Sequence, residues 1–305
     1  MASATNTYEL LDSGGGAKLE RFGEWIVVRP SPQALWPRTL DDSAWNAAHA
    51  TYHRSDKGGG SWSPPGVLPE IWECSVGAQR FLIKPTGFGH MGVFAEQVPF
   101  WEWIAAQSRP GSEVLNLFAY TGGSTLAAAR AGAKVTHCDA AKGVVQWASD
   151  NAPLNDLQDA SIRWIIDDAQ KFLAREDRRG RRYHGVILDP PSFGRGPKGQ
   201  VFKLEEQVDE LLDQCVAVLD DDFAFVLFSA HTPGIGAVAL RNLLEIALRK
   251  RFDTGIDAGR FGHGEMWIEG SRPLPSGTWS AWARNGELPS GDPWAAARFD
   301  PGARA

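Results

Sequence analysis

The sequence predicts an α/β fold: a seven-stranded, mostly parallel sheet with helices on both faces, plus a small, mostly β N-terminal region. Three observations lead there. From about residue 112, short apolar runs rich in branched and aromatic residues alternate with helix-spaced stretches; strands separated by helices imply βαβ crossovers and a parallel sheet. The first four of these runs end in polar or acidic residues, where such sheets bind ligands. Residues 1–100 lack the alternation and carry strand-like runs around a loop rich in Gly, Pro and Ser.

In chain order, AKLERFGEWIVVRP and IWECSVGAQRFLIKP read as β-strands, separated by SDKGGGSWSPPG. VPFWEWIAAQ reads as the helix that joins this region to the next. EVLNLFA, KVTHCDA, SIRWIID, YHGVILD and DFAFVLFSA are short, apolar and β-rich, hence strands. Between them GSTLAAARAG, GVVQWASDNAPL, AQKFLARED and KLEEQVDELLDQCVAVL have helical spacing. A further helix, GAVALRNLLEIALRK, precedes two strand-like pieces around RFDTGIDAG and GEMWIEG, which bring the strands to seven. The expected division is residues 1–100, residues 101–285 and a C-terminal tail, 286–305, loosely ordered as chain ends are.

The chain has 305 residues, a formal net charge of -6 and 43% hydrophobic residues, an ordinary globular balance. That charge gives no general attraction to polyanions, so a nucleic acid would have to meet a local positive patch. Cys74, Cys138 and Cys215 lack the paired spacing of a zinc or redox site. No metal is expected, and a reducing, cytoplasmic setting suits them. The start, MASATNTYEL, lacks the pattern of a signal peptide, and no apolar run reaches the ~18 to 20 residues of a membrane span.

The strand ends carry the chemistry. The first presents Asn116-Leu117-Phe118-Ala119-Tyr120-Thr121-Gly122-Gly123. This is neither the G-x-G-x-x-G turn of dinucleotide enzymes nor a nucleoside triphosphate loop. Gly122 and Gly123 still permit close backbone approach, and the helix that follows offers its N-terminus to a small carboxylate. Asp139 closes the second strand about 20 residues on, where such folds hold an acid for a ribose diol. Asp168, after the third strand, can accept from an exocyclic amino group such as that of adenine. A nucleoside with an amino-acid tail fits all of these, and S-adenosylmethionine is such a molecule. Each feature alone is an ordinary turn or helix cap; their joint order is what points to the cofactor.

NLFAYTGGSTLAAARAGA, CDAAKGVVQWASDNAPLN, DDAQKFL and LDPPSFGRGPKG, in that order, resemble the Rossmann-like class I S-adenosylmethionine-dependent methyltransferases. More narrowly, they resemble the bacterial group of large-subunit ribosomal RNA cytosine and guanine methyltransferases. FGHMGVFAEQ is similar to the segment these enzymes close over the cofactor. The resemblance covers roughly residues 80–280. It implies cofactor contacts from Phe118 to Gly123, from Asp139 to ribose and from Asp168 towards adenine, with Phe94, Gln97, Asn116 and Asp189 as further contacts. S-adenosylhomocysteine would be the product.

Family members that methylate carbon 5 of cytosine need a cysteine nucleophile. Here the fifth strand ends in FSAHTPG, with Ser229 and His231 but no cysteine. A nucleobase nitrogen needs no covalent intermediate, since its lone pair attacks the sulfonium methyl directly. The stiff Asp189-Pro190-Pro191 turn fits that task, with acceptors for an amino or ring N–H and with Phe193 to stack on the base. The inserted Ser192 separates this turn from the Asp-Pro-Pro-aromatic form of amino methyltransferases. Arg195 and Lys198, with Lys203 beyond, form a candidate phosphate-contacting patch. REDRRGRR, residues 175–182, precedes the fourth strand and reads as a solvated connection at the other sheet edge. Trp62 is a candidate base contact, and His231 a substrate-orienting group, a base or an ordinary polar residue.

The reading is an enzyme that methylates RNA, ribosomal RNA in particular, at a base nitrogen. The alternatives are a methyltransferase for a small molecule or protein, and a non-catalytic module that keeps the pocket as a scaffold.

Overall fold

A computed structural model describes residues 6–56, 58–195 and 201–289; Lys198 and the side chain of Arg195 lie outside the described residues, as do residues 290–305 of the expected tail. The N-terminal region holds a sheet of β1 (Tyr8–Gly14), β2 (Ala17–Phe22), β3 (Trp25–Pro30), β4 (Ala50–Arg54) and β5 (Gly60–Ser63), in that spatial order, with the short helix α1 (Asp42–Asn46) before β4. Only the β3–β4 pair is parallel. The predicted AKLERFGEWIVVRP run is the β2–β3 hairpin. β5 falls inside the stretch expected to be loop: GSWS is too short and polar to stand out, and it is a strand because it pairs antiparallel with β4.

A separate hairpin, β6 (Trp72–Val76) and β7 (Gln79–Ile83), leads to α2 (Val98–Gln107). The outer edge of β7 is covered by side chains. Asn155 accepts from the Arg80 N–H at 2.9 Å and donates to the Arg80 carbonyl at 2.8 Å, while Asn151 accepts from the Leu82 N–H at 2.9 Å. One turn apart on α4 (Lys142–Leu154) and its C-terminal cap, these two amides reach the same strand.

The main sheet follows. β8 (Glu113–Leu117), β9 (Lys134–Asp139), β10 (Ile162–Ile166), β11 (Gly185–Leu188), β14 (Phe225–Ala230), β15 (Arg260–Ile268) and β16 (Leu274–Ala283) stand in the order β10-β9-β8-β11-β14-β16-β15. A small hairpin, β12 (Phe193–Arg195) and β13 (Val201–Lys203), lies between β11 and β14 in the chain. The connecting helices are α3 (Gly123–Arg130), α4, α5 (Ala169–Arg178), α6 (Leu204–Ala217) and α7 (Ala237–Phe252). β8, β9, β10, β11 and β14 are mutually parallel, and β16 runs antiparallel to both its neighbours. The period-2 alternation of a strand sorts the buried residues between two cores. Val114, Ile187 and Leu227 face a cluster shared with α2, α3 and the N-terminal strands, while Leu115, Leu117, Val186, Leu188 and Phe228 face α5, α6 and α7.

The strand count holds, but the last two strands differ from expectation. RFDTGIDAG is the end of α7 and a 3-10 turn, Asp253–Ala258, not a strand. The seventh strand is instead β16, whose Pro, Ser and Gly residues mask a strand inserted between β14 and β15 with Trp279 and Trp282 fully buried.

Candidate active site

The chain leaves β8 towards one side of the sheet and reaches β11 on the other, so a crevice opens between the carboxyl ends of β8 and β11. A cavity lies there. Its lining includes Phe94, Gln97, Asn116, every residue from Phe118 to Ser124, Asp189 and Ser229. Phe94, Gln97, Asn116, the Phe118–Gly123 loop and Asp189, expected together, are thus brought together.

The loop after β8 is strained. Phe118 and Tyr120 have φ of 54° and 48°, and Gly122 has φ of 92°. Left-handed backbone at two non-glycine residues costs free energy and gathers at ligand sites. The conformation is held by Asp139, whose Oδ2 accepts from the Tyr120 N–H at 3.1 Å and whose Oδ1 accepts from the Ala141 N–H at 2.9 Å. Burial raises the Asp139 pKa against these two amides. Each carboxylate oxygen keeps a second lone pair for a hydroxyl. Gly123 lets α3 meet α2 closely, since a Cβ there would fall 2.5 Å from the Trp101 ring. Asn116 lines the cavity, but its amide donates to Thr125 Oγ1 at 3.0 Å, which in turn meets His137 Nδ1 at 2.9 Å. Asp168 stands at the end of β10 and is exposed; its Oδ1 caps α5 by accepting from the Lys171 N–H at 3.1 Å.

Asp189 ends β11 at the cavity wall. Gln97 Nε2 donates to its Oδ2 at 3.1 Å, and His231 Nε2 lies 3.4 Å from the same oxygen. Asp189 Oδ1 is buried and has no hydrogen-bond partner among the described residues. His231 Nδ1 donates to the Ser276 carbonyl at 2.7 Å and lies 3.6 Å from Glu96 Oε1. Burial alone would push the imidazolium pKa down, but Asp189, Glu96 and the Ser276 carbonyl outweigh it and push it up to about 10. The two carboxylates favour the charged imidazolium, the form that holds Asp189 Oδ2. Phe94 packs between it and the strained loop, its ring centroid 5.5 Å from His231 and 5.2 Å from Tyr120.

Pro190 is buried and Pro191 exposed. Ser192, the inserted residue, accepts from the Thr232 hydroxyl at 2.9 Å and so ties this turn to the end of β14. Phe193 stands on β12, half exposed and outside the cavity lining. Trp62, the candidate base contact, stands on β5. It is partly buried, donates to the Thr86 carbonyl at 3.0 Å and packs on Tyr52. The REDRRGRR run is consumed locally: Arg175 pairs with Asp167, Arg179 with Glu176 and Arg182 with Asp177. Glu96 was not singled out from the sequence; one residue before Gln97, it gave no signal beyond lying within FGHMGVFAEQ.

No thiol serves the site. Cys74, Cys138 and Cys215 are all buried, and burial pushes Cys74 up to about 12 and raises the other two as well. A cradle of left-handed loop and an acid with spare lone pairs, beside the orphaned carboxylate oxygen of Asp189, fit an adenosyl amino acid.

Residues 44–240 match the model of a family described as S-adenosylmethionine-dependent methyltransferase. The crystal structure of such an enzyme from Agrobacterium tumefaciens superposes with a TM-score of 0.84 at 38% identity, covering 93% of this chain and 92% of that one. Ribosomal RNA large subunit methyltransferase I of Aeromonas hydrophila is 30% identical over 265 residues, 80% of this chain and 63% of that protein. The K/L methyltransferase of Pseudomonas paraeruginosa is 32% identical over 149 residues, 48% of this chain and 20% of that protein. The chain thus spans about a fifth of the K/L relatives and under two thirds of the methyltransferase I relative. With the crevice, the cradle and these matches together, the chain belongs to the S-adenosylmethionine-dependent methyltransferase family.

Proposed function

We propose that this enzyme methylates a base nitrogen in RNA, ribosomal RNA in particular, in the cytoplasm. The observation that carries this reading is the buried, unpartnered Asp189 Oδ1 in a cavity served by no thiol. An acceptor N–H satisfies that oxygen, whereas carbon-5 chemistry needs a nucleophile the site lacks. The names of the relatives support RNA as the acceptor class.

The cofactor, when bound, supplies an electrophilic sulfonium methyl. In this reading the Phe118–Gly123 loop and the α3 N-terminus hold its amino-acid part, Asp139 its ribose diol and Asp168 its adenine edge. Gln97 and the His231 cation hold Asp189 Oδ2 and so aim Oδ1 at the acceptor N–H. The nitrogen lone pair is then directed at the methyl carbon, and such orientation is worth roughly 7–11 kcal/mol at the strong end. As the nitrogen–methyl bond forms, the electron pair of the methyl–sulfur bond would stay with the departing thioether, S-adenosylhomocysteine, and Asp189 Oδ1 would receive the N–H proton. Pro190 and Pro191 keep the turn stiff. Phe193 stands on the rim, where it stacks on a neighbouring base and not in the cavity itself, and Arg195 and Lys198 meet phosphates.

The test incubates the protein with methyl-labelled S-adenosylmethionine and unmodified ribosomal RNA, protein and metabolite fractions, then digests the labelled RNA to nucleosides. Label in an N-methylated nucleoside is expected. Label confined to protein or metabolites, or recovered as 5-methylcytidine, overturns the reading.

A further inference from the structure

A second cavity, of about 200 Å³, lies on the other side of Phe94. β2, β3 and β4 supply one wall through Lys18, Glu20, Phe22, Arg29, Tyr52 and Arg54, and residues 88–90 and 93–96 supply the other. Val93 and Phe94 line both cavities.

This pocket holds more positive than negative charge. Glu20 is fully buried and is shared by three donors. Arg29 Nε and Nη2 donate to it at 2.6 and 2.7 Å, Lys18 Nζ lies 3.2 Å away, and the Tyr8 hydroxyl donates at 3.0 Å. Arg29 Nη1 donates to the Gly89 carbonyl at 2.9 Å, which fixes the guanidinium between Glu20 and the loop at residues 87–90. Lys18 has one shared carboxylate for three N–H donors. Burial, then Arg29, lowers its pKa despite Glu20, the state of a cation short of anionic partners. Glu96 turns to His231 instead. Arg54 is exposed and has no ion pair among the described residues.

The mouth is aromatic and preformed. Phe88 is 72% exposed on the rim. Beside it Gly89, with φ of 76°, lies so close to Tyr52 that a Cβ would fall 2.6 Å from that ring, and the Tyr52 hydroxyl donates to the Gly87 carbonyl at 2.9 Å.

We propose that this cavity is a second nucleotide subsite, taking the nucleotide next to the acceptor in the RNA, its base against Phe88 and its phosphate on Lys18 and Arg54. The assignment rests on the RNA reading above. Asp189 lines the cavity on the far side of Phe94, so an acceptor base that reaches it must leave its stack, which frees its neighbour for this pocket. The N-terminal sheet then builds one wall of the path that the RNA takes, with Lys18, Arg29 and Arg54 as the local cations that an acidic chain needs.

The test uses the full chain and three variants: Lys18→Met, Arg54→Ala and Phe88→Ala, the last two exposed and so safe for folding. With wild type methylating RNA, each variant is expected to raise the KM for RNA about tenfold and to leave S-adenosylmethionine affinity unchanged. Arg54→Ala also lowers the slope of log KM against log salt by about 0.7. Three unchanged KM values overturn the subsite and leave the RNA reading standing. Where wild type methylates no RNA, the RNA reading fails and 5′-CMP and 5′-GMP become the probes in calorimetry. Binding lost in Lys18→Met and Arg54→Ala then keeps the subsite as one for free nucleotides, and binding that is absent or indifferent to both variants overturns it.

Discussion

Asp189 has one oxygen held by Gln97 and His231 and the other buried without a partner. Asp189→Asn keeps the shape but presents the wrong hydrogen-bond pattern, so kcat is expected to fall about 100-fold, the cost of a misplaced reactant, while cofactor affinity stays within about threefold by calorimetry. A kcat equal to wild type sinks the aiming role. His231 makes a pH prediction. An ordinary imidazole titrates near ~6.5 unfolded, and folding raises this one to about 10. A raised folded pKa means stabilisation that is complete below the unfolded value and lost as pH climbs through the folded one. The melting temperature of wild type is therefore expected to drop more steeply between pH 7 and about 10 than that of His231→Gln, with Asp189, Glu96 and neighbouring His90 the titratable groups around it. Equal slopes would contradict the cation. Asp189 and its prolines were legible because Asp-Pro-Pro after an apolar run is a local signal. The Glu96–His231 contact was not, because it joins residues 135 positions apart that no periodicity relates.

Asn151 shows how the elements around the cavity are fastened. Its Oδ1 accepts from Leu82 on β7, and its Nδ2 donates to the Thr121 carbonyl at 3.0 Å in the loop after β8. Asn151→Ala leaves both backbone groups unpaired, the Thr121 carbonyl buried and the Leu82 N–H partly so, at a cost of roughly 2–4 kcal/mol in urea denaturation; a loss under about 0.5 kcal/mol, the noise of a surface change, would show the contacts to be incidental. The parallel strands and their helices followed from the alternation of periods, since each buries one face against its neighbours. β16 escaped because its sequence is broken by Pro275, Ser276 and Gly277, and its strand state is imposed by pairing on both sides. The strained backbone at Phe118 and Tyr120 was equally hidden: a left-handed residue announces itself in sequence only when it is glycine or asparagine.

At the scale of the molecule, one hydrophobic cluster runs from Phe22, Val27 and Phe81 of the N-terminal strands to Val114, Val135 and Leu227 of the main sheet. Because the two parts share this cluster, calorimetric unfolding is expected as a single transition; two separated peaks would contradict a shared core. The candidate patch at Arg195 and Lys198 was legible as a local run; the convergence of Lys18, Arg29 and Arg54 was not, because it forms only once β2, β3 and β4 align. The central claim is that the strand ends divide their labour, with Asp139 gripping the donor and Asp189 aiming the acceptor. Calorimetric titration of S-adenosylmethionine into wild type, Asp139→Ala and Asp189→Asn tests this most directly. The account predicts one site per chain, at least about tenfold weaker binding in Asp139→Ala for two lost hydroxyl contacts to a charged acceptor, and near wild-type binding in Asp189→Asn. Unaltered binding in Asp139→Ala would contradict it.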